Sequence, residues 1–365
     1  MPLNNNNKKY DALALFSGGL DSILSMKMVE RQNLRVLGLH FIAPFFGKLH
    51  KIAHWEKIYE IELLGLDVSD EYVEMLLNGP KFGFGKFINP CLDCKIFMLK
   101  KARTLLETYG AKFIISGEVL GQRPMSQRRD SLDIIIREAD VRNELLRPLS
   151  AGHLRPTRAE EEGLVDRERL GRVSGRGRRE QMILAEKFNI REVPTPAGGC
   201  LLTEQESCRR YLPLFMHMCR PSARDFHLAN LGRQLWSKTD PAGWMILGRN
   251  KQDNEQLQKL AEDKDYLFEI RHYPGPLGLG RCFCGRAWSE EMLAGAAAIT
   301  ACYSPKARKS RRSVEVVLTH KSTQRIITVR PDLKKQCSGW TEPEWNREQV
   351  REILENKTQL MPEAT

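Results

Sequence analysis

Apolar runs short enough for buried strands alternate with helically spaced stretches through the first half of the chain. Residues 11–16 (DALALF) form one such run. It is followed by Ser-Gly-Gly, and then Ile23, Leu24, Met26, Met28 and Val29 recur at helical spacing, which predicts strand, tight turn and helix. Residues 35–41 (RVLGLHF) predict a second strand, so the order matches a right-handed parallel crossover. Helical spacing returns over residues 52–64, 72–77, 95–109 and 180–188. Residues 112–116 (KFIIS) predict a strand ending at Gly117-Glu118, and residues 144–149 an edge strand or strand end. The predicted fold class is α/β, a parallel-sheet domain followed by a smaller α+β domain.

Past Pro221-Ser222 the pattern changes. Residues 244–250 predict a strand running into a glycine turn, 255–261 a helix, 266–270 a strand, and 274–280 (PGPLGLG) a turn segment. A small-residue helix over 290–303 leads into the basic residues Lys306, Arg308, Lys309, Arg311 and Arg312, then a strand over 314–318. The expected divisions are 1–222, 223–335, and a charged tail, 336–365, partly helical at 342–354. Cys282-Phe283-Cys284 is too tightly spaced for a common zinc knuckle and is expected in a strand. Arg249 and Trp244 offer a base-stacking pair, with a core position as the plainer alternative for the tryptophan.

The candidate chemistry centres on Ser17-Gly18-Gly19-Leu20-Asp21-Ser22. Between a strand and a helix start, two glycines permit close backbone approach, and the first helical amides point at negative charge. Ser17 and Ser22 add hydroxyl donors, while Asp21 beside a phosphate calls for a cation, read as Mg²⁺. Ligands in parallel sheets sit beyond the carboxyl ends of strands, so this turn and Leu39, His40 and Phe41 are expected to line one crevice. A packed core position is the alternative for His40. Arg128 and Arg129 fall after the strand that ends at Gly117, on the same face, and five arginines in residues 169–179 are either phosphate contacts or a solvated loop.

Cys91-Leu92-Asp93-Cys94 opens the helix predicted at 95, so both sulfurs face one way, and the helix start with Lys95 is expected to lower their pKa values. Cys200 follows two glycines in the proline-framed loop 193–203. Three thiols suit an iron–sulfur cluster with one open iron, a persulfide and resolving pair, or a zinc site that lacks a fourth ligand unless Cys208 turns back. The nine cysteines, odd in number and uneven in spacing, favour metal or redox chemistry over a disulfide framework. With 365 residues and a net charge of +11, two domains and a polyanionic partner are expected, nucleic acid first. No apolar run approaches the roughly 20 residues of a membrane span, and the polar start predicts no secretory signal.

The six-residue turn lacks the lysine of the common nucleotide loop and resembles the PP-loop of the ATP pyrophosphatase superfamily. That resemblance implies ATP cleavage between the α and β phosphates. It places Ser17, Gly18, Gly19, Leu20, Asp21 and Ser22 on the phosphates, the Leu39–His40–Phe41 strand end on adenine, and Gly117 in the pocket. With Cys91, Cys94 and Cys200, the stretch from Asp11 to Thr203 is similar to tRNA thiouridine synthetases of the three-cysteine, iron–sulfur type. This implies ATP, Mg²⁺ and a [4Fe-4S] cluster, tRNA as partner, an external sulfur donor and a cytoplasmic setting. Asp21, Cys91 and Cys200 would then be the catalytic residues. One departure is Gly117-Glu118, where thiolation enzymes commonly show Gly-His. Gly248-Arg249-Asn250 with Asn254, Pro274-Gly275-Pro276, and Ala296 through Tyr303 into the basic run resemble the NFACT RNA-binding domain. On that basis Arg249, Lys306, Arg308, Lys309, Arg311 and Arg312 are expected on RNA, and Arg128 and Arg129 on the strand-end face of the first domain are expected there with them. The alternatives are an amidating or ligating PP-loop enzyme, and a non-catalytic RNA- or ribosome-associated protein.

Overall fold

The computed structural model describes residues 9–194, 199–283, 287–331, 339–348 and 350. The chain forms two compact units, Met1–Leu201 and Leu202–Thr365. The division precedes the Pro221-Ser222 step. The helix before that step packs Tyr211 and Phe215 against Phe226 of the helix after it, so both belong to the second unit.

In the first unit β1 (Ala12–Leu15), α1 (Leu20–Glu30), β2 (Val36–Ile42), α2 (Ile52–Tyr59), β3 (Glu62–Asp67), α3 (Ser69–Leu77) and α4 (Cys91–Thr104) come first. Then follow α5 (Leu106–Tyr109), β4 (Phe113–Ser116), α6 (Arg129–Ala139), β5 (Leu145–Leu146), α7 (Arg158–Glu161) and α8 (Arg179–Lys187). The sheet order is β3-β2-β1-β4-β5, with every pair parallel. All four β1 residues are buried because helices cover both faces, which is why the strand reads as an unbroken apolar run. The chain moves from β1 to one neighbour, β2, and later places β4 on the other side. β1 is therefore the topological switch point, and its carboxyl end opens on Ser17.

Two expectations need correction here. The helix predicted over 52–64 ends at Tyr59, where Glu60 takes a left-handed conformation with φ 51°, and the apolar residues after it form the edge strand β3. Helix α6 was not anticipated.

The second unit runs α9 (Gln205–His217), α10 (Ala223–Ala229), β6 (Arg233–Ser237), β7 (Gly243–Leu247), α11 (Lys251–Leu260) and β8 (Tyr266–Ile270). It continues with β9 (Gly278–Cys282), α12 (Glu290–Cys302), α13 (Pro305–Ser310), β10 (Val314–His320), β11 (Thr323–Val329) and β12 (Trp340–Thr341). Its antiparallel sheet has the order β11-β10-β8-β9-β7-β6-β12. Buried Ala296, Ala297, Ala298 and Ala301 let α12 lie close against it. The 274–280 segment is not all turn: Gly278 and Gly280 are strand residues. A Cβ on Gly280 would stand 2.4 Å from the Trp288 ring, so the glycine makes room for an indole. Trp244 is a core residue, buried, stacked on Trp236 and donating its Nε1–H to Gln234 at 2.8 Å, so it is not available to a base. Cys282 ends β9, while Cys284 and residues 351–365 of the tail lie outside the described residues.

A buried guanidinium ties this unit together. Arg281 on β9 forks onto Asp265 at 3.0 and 2.7 Å and reaches Asp225 of α10. Burial opposes its charge, but Asp265 and Asp225 more than offset this and hold it firmly protonated. Removing one partner of such a pair strands buried charge, so Arg281→Ala is expected to lower stability by about 3–5 kcal/mol. Denaturant unfolding followed by tryptophan fluorescence reads this directly, since Trp236, Trp244, Trp288 and Trp340 all lie in this unit.

Candidate active site

The turn after β1 is held by its own serines. The Ser22 hydroxyl donates to the Gly19 carbonyl at 2.7 Å and accepts the Ser17 amide at 3.3 Å. The Ser17 hydroxyl accepts the Gly19 amide at 3.3 Å. Gly19 is the N-cap of α1 and brings no capping side chain, so the amides of Leu20 and Asp21 begin the helix with their intrahelical partners missing. Gly18 has φ +78° and lies under Trp55, whose ring a Cβ would meet at 2.6 Å. The Asp21 Oδ1 atom is buried without a hydrogen-bond partner.

Gly117, at the end of β4, closes onto this helix start. A Cβ there would stand 2.8 Å from Asp21 and Ser22 backbone atoms. Glu118 follows, buried, accepting from Arg147 Nε and the Ser116 hydroxyl at 3.0 Å each. Burial raises its pKa, but Arg147 and Lys95 outweigh this and hold the carboxyl below its ordinary value. Its Oε1 and the Nη2 of Arg147 are buried without hydrogen-bond partners. Leu39, His40 and Phe41 are all buried. His40 Nδ1 bonds the Phe16 carbonyl at 3.0 Å, and its Nε2 accepts the Lys48 amide at 2.8 Å. Burial pushes its pKa down, so the ring is a neutral brace between loops with both nitrogens engaged by backbone.

Cys91 and Cys94 occupy the first turn of α4. Buried Asn89 donates its amide to Cys91 Sγ at 3.1 Å and accepts the Phe87 amide at 3.2 Å. Between the cysteines, Asp93 accepts the Lys81 and Phe82 amides at 2.8 and 3.1 Å, which pins the glycine- and aromatic-rich loop to the helix. Cys200 is positioned by the next residue, whose amide donates to the Phe45 carbonyl at 2.9 Å; Thr195–Gly198 of its loop lie outside the described residues.

The helix of Cys91 and Cys94 and the backbone next to Cys200 approach one residue, Tyr72: Phe97 of α4 packs on its ring, and so does Phe45, whose carbonyl receives the Leu201 amide. Tyr72 of α3 is fully buried among Phe45, Phe46 and Phe97. Its pKa is raised well above the ordinary value by burial, then by Cys94, Cys200 and Cys91 acting on its hydroxyl. That hydroxyl has no well-formed hydrogen bond, and its contact with Cys94 is a loose one. Among the described residues, no three His, Cys, Asp or Glu side chains are arranged to grip a metal ion. The expectation of a lowered Cys94 pKa is overturned. Burial pushes the thiol up to about 11, and Tyr72 and Lys95 only partly counter it.

The expected RNA contacts are spread over both units. Arg128 and Arg129 begin α6, where Arg129 donates to the His153 carbonyl at 2.9 Å. Lys306, Arg308 and Lys309 lie exposed on α13 with Arg311 and Arg312 just beyond. Of the arginines in 169–179, Arg169 bonds the Arg31 carbonyl.

The Cys94 environment makes a direct prediction. In a chain with its other thiols replaced by serine, iodoacetamide labelling of Cys94 should still be accelerating at pH 10, and Tyr72→Phe should shift the profile to still higher pH. A labelling rate already level at pH 8 would contradict the assignment.

Residues 8–153 match the family described as Thiamine biosynthesis protein (ThiI), and residues 232–341 the family described as NFACT protein RNA binding domain. A protein of Thermococcus kodakarensis named "Probable tRNA sulfurtransferase" is 29% identical over 143 residues, covering 38% of this chain and 36% of that one. The tRNA-specific 2-thiouridylase MnmA of Petrotoga mobilis is 29% identical over 136 residues, covering 31% and 36%. A tRNA sulfurtransferase of Sodalis glossinidius is 30% identical over 149 residues, covering 38% and 29%. The chain thus spans roughly a third of the length of these curated relatives. The chain is thus similar to the ThiI family over residues 8–153 and to the family described as NFACT protein RNA binding domain over residues 232–341.

Proposed function

We propose that the protein is an ATP-dependent tRNA thiolation enzyme that adenylates a uridine carbonyl and replaces its oxygen with sulfur. The observation that carries this is that the Cys91–Cys94 helix start and the Cys200–Leu201 backbone both pack about buried Tyr72, through Phe97 and Phe45, in the same unit as the glycine–serine turn. The matched families, and relatives named for tRNA thiolation, support it.

In this reading the Leu20 and Asp21 amides and the Ser17 hydroxyl bind the phosphates. The unpartnered Asp21 Oδ1 suits Mg²⁺, which when bound neutralises charge on the leaving pyrophosphate. The uridine oxygen attacks the α-phosphate and expels pyrophosphate, which turns that oxygen into a good leaving group. Gly117, whose Cβ position lies 2.8 Å from Asp21 backbone atoms, is followed by Glu118, and the Lys95 charge next to Cys94 lowers the pKa of that carboxyl.

For the sulfur step these residues favour a persulfide. Cys91, receiving the Asn89 amide, is suited to carry a sulfane sulfur from an external donor. Its terminal sulfur attacks the activated carbon and AMP leaves. Cys200 then attacks the Cys91 sulfur, releasing the thiolated base and forming a disulfide that an external dithiol reduces. Cys94, its pKa high, stays a protonated neighbour. A [4Fe-4S] cluster would be held by Cys91, Cys94 and Cys200, but among the described residues no three such side chains are arranged to grip a metal ion. Among the described residues no helix is long and apolar enough to cross a membrane, and an enzyme acting on tRNA belongs to a cytoplasmic setting.

The test combines purified protein, unmodified tRNA transcript, ATP-Mg²⁺ and a persulfide donor. Pyrophosphate, AMP and a thionucleoside are expected. Asp21→Asn should slow pyrophosphate release roughly 100-fold, on the order of a lost transition-state charge partner. Cys91→Ser and Cys200→Ser should abolish the thionucleoside while pyrophosphate release continues. ATP cleavage with ammonia incorporation, indifferent to Cys91, would point to an amidating enzyme. Iron and sulfide analysis after anaerobic purification decides between persulfide and cluster.

A further inference from the structure

We infer that Arg209, Arg210, Arg233 and Arg249 form a binding site for a phosphate of the RNA backbone. This rests on the RNA-binding reading of the second unit and gives it a definite place. The four guanidinium groups line one cavity of about 90 Å³, with Gly232, Gln234, Glu342 and Pro343 completing its wall. Arg209 and Arg210 come from α9, outside the segment that matches the RNA-binding family.

Three of the arginines are fixed in place while keeping donors to spare. Arg249 gives its Nε to Asp253 at 2.9 Å, and Asp253 also accepts the Arg249 amide at 3.1 Å. A guanidinium has five N–H donors, so one such bond leaves its outer edge for a ligand. Arg209 gives Nε to Glu206 at 2.7 Å and Nη1 to the Pro343 carbonyl at 3.0 Å. Arg233 lies 4.8 Å over the Tyr303 ring, a contact that orients the cation without neutralising it.

Arg210 has no ion pair among the described residues. Half-buried, it is pressed by burial, and then by the charges of Arg249 and Arg209, below its ordinary pKa. The nearby carboxylates are already engaged: Glu206 and Glu342 with Arg209, and Asp253 with Arg249. Guanidinium groups held this close repel one another until an anion enters, and their forked donors match phosphate oxygens. The net charge of +11 favours a polyanion over a small metabolite.

The experiment measures binding of an unmodified tRNA transcript to the full chain by fluorescence anisotropy across a salt series, with no catalysis required. Arg210→Ala should weaken binding about threefold or more and reduce the salt slope by about one. Arg210→Lys should keep the slope and recover part of the affinity. Glu342→Gln removes a competing carboxylate and should tighten binding, a gain that general destabilisation would not produce. Thermal melts of each variant check that it folds. If the wild type binds tRNA and Arg210→Ala matches it in affinity and slope, the site is overturned while the tRNA reading stands. If the wild type binds no tRNA, both fall. Displacement by inorganic phosphate that spares tRNA binding would assign the cavity to a small anion and overturn the RNA assignment.

Discussion

The first unit depends on a near-contact of backbones. The end of β4 comes so close to the start of α1 that Gly117 has no room for a Cβ, its ideal position lying 2.8 Å from Asp21 and Ser22 backbone atoms. That approach joins the two strand ends flanking the switch point of the sheet. Glu118 follows Gly117, buried, and Arg147, just past the edge strand β5, pairs with it at 3.0 Å. Two buried charges are costly unless paired with good geometry, so the pair fixes the relation of β4 to β5 more than it adds stability. Lys95, on the helix that carries the cysteines, acts on the same carboxylate. One glycine thus sets how closely the end of β4 approaches the start of α1.

The Ser17–Ser22 turn and helix start were legible in the sequence because their geometry is local. Glycines, serines and an aspartate within six residues are enough to define a helix start with free amides. The parallel sheet was legible for a similar reason, since buried central strands leave unbroken apolar runs. Strand β3 was hidden because its leucines continue the periodicity of α2, and only the left-handed Glu60 separates them. Strand β9 was hidden because its glycines, which read as turn residues, exist to accommodate Trp288 and Thr300.

The sulfur site was half legible. Cys91 and Cys94 declare themselves by spacing, and Cys200 by its rigid frame. What joins them does not. Tyr72 sits in an ordinary amphipathic helix, and its part follows only from the packing of α3 against the aromatic residues around it. Thiol acidity was misjudged for the same reason: helix position is a sequence property, whereas burial is a tertiary one. In the second unit the basic run at Lys306 is conspicuous in one dimension, while the arginine cavity is assembled from four separate places in the chain.

Trp55 gives the phosphate turn a mechanical property. Its indole lies over Gly18 so closely that a Cβ there would overlap the ring, and it also packs edge-on against Phe16 and His40. The turn therefore cannot tighten around a guest without displacing an aromatic ring that α2 and two strand ends hold in place. The conformation of Gly18 and the seating of α2 are one mechanical unit, since a shift of either must be answered by the indole between them.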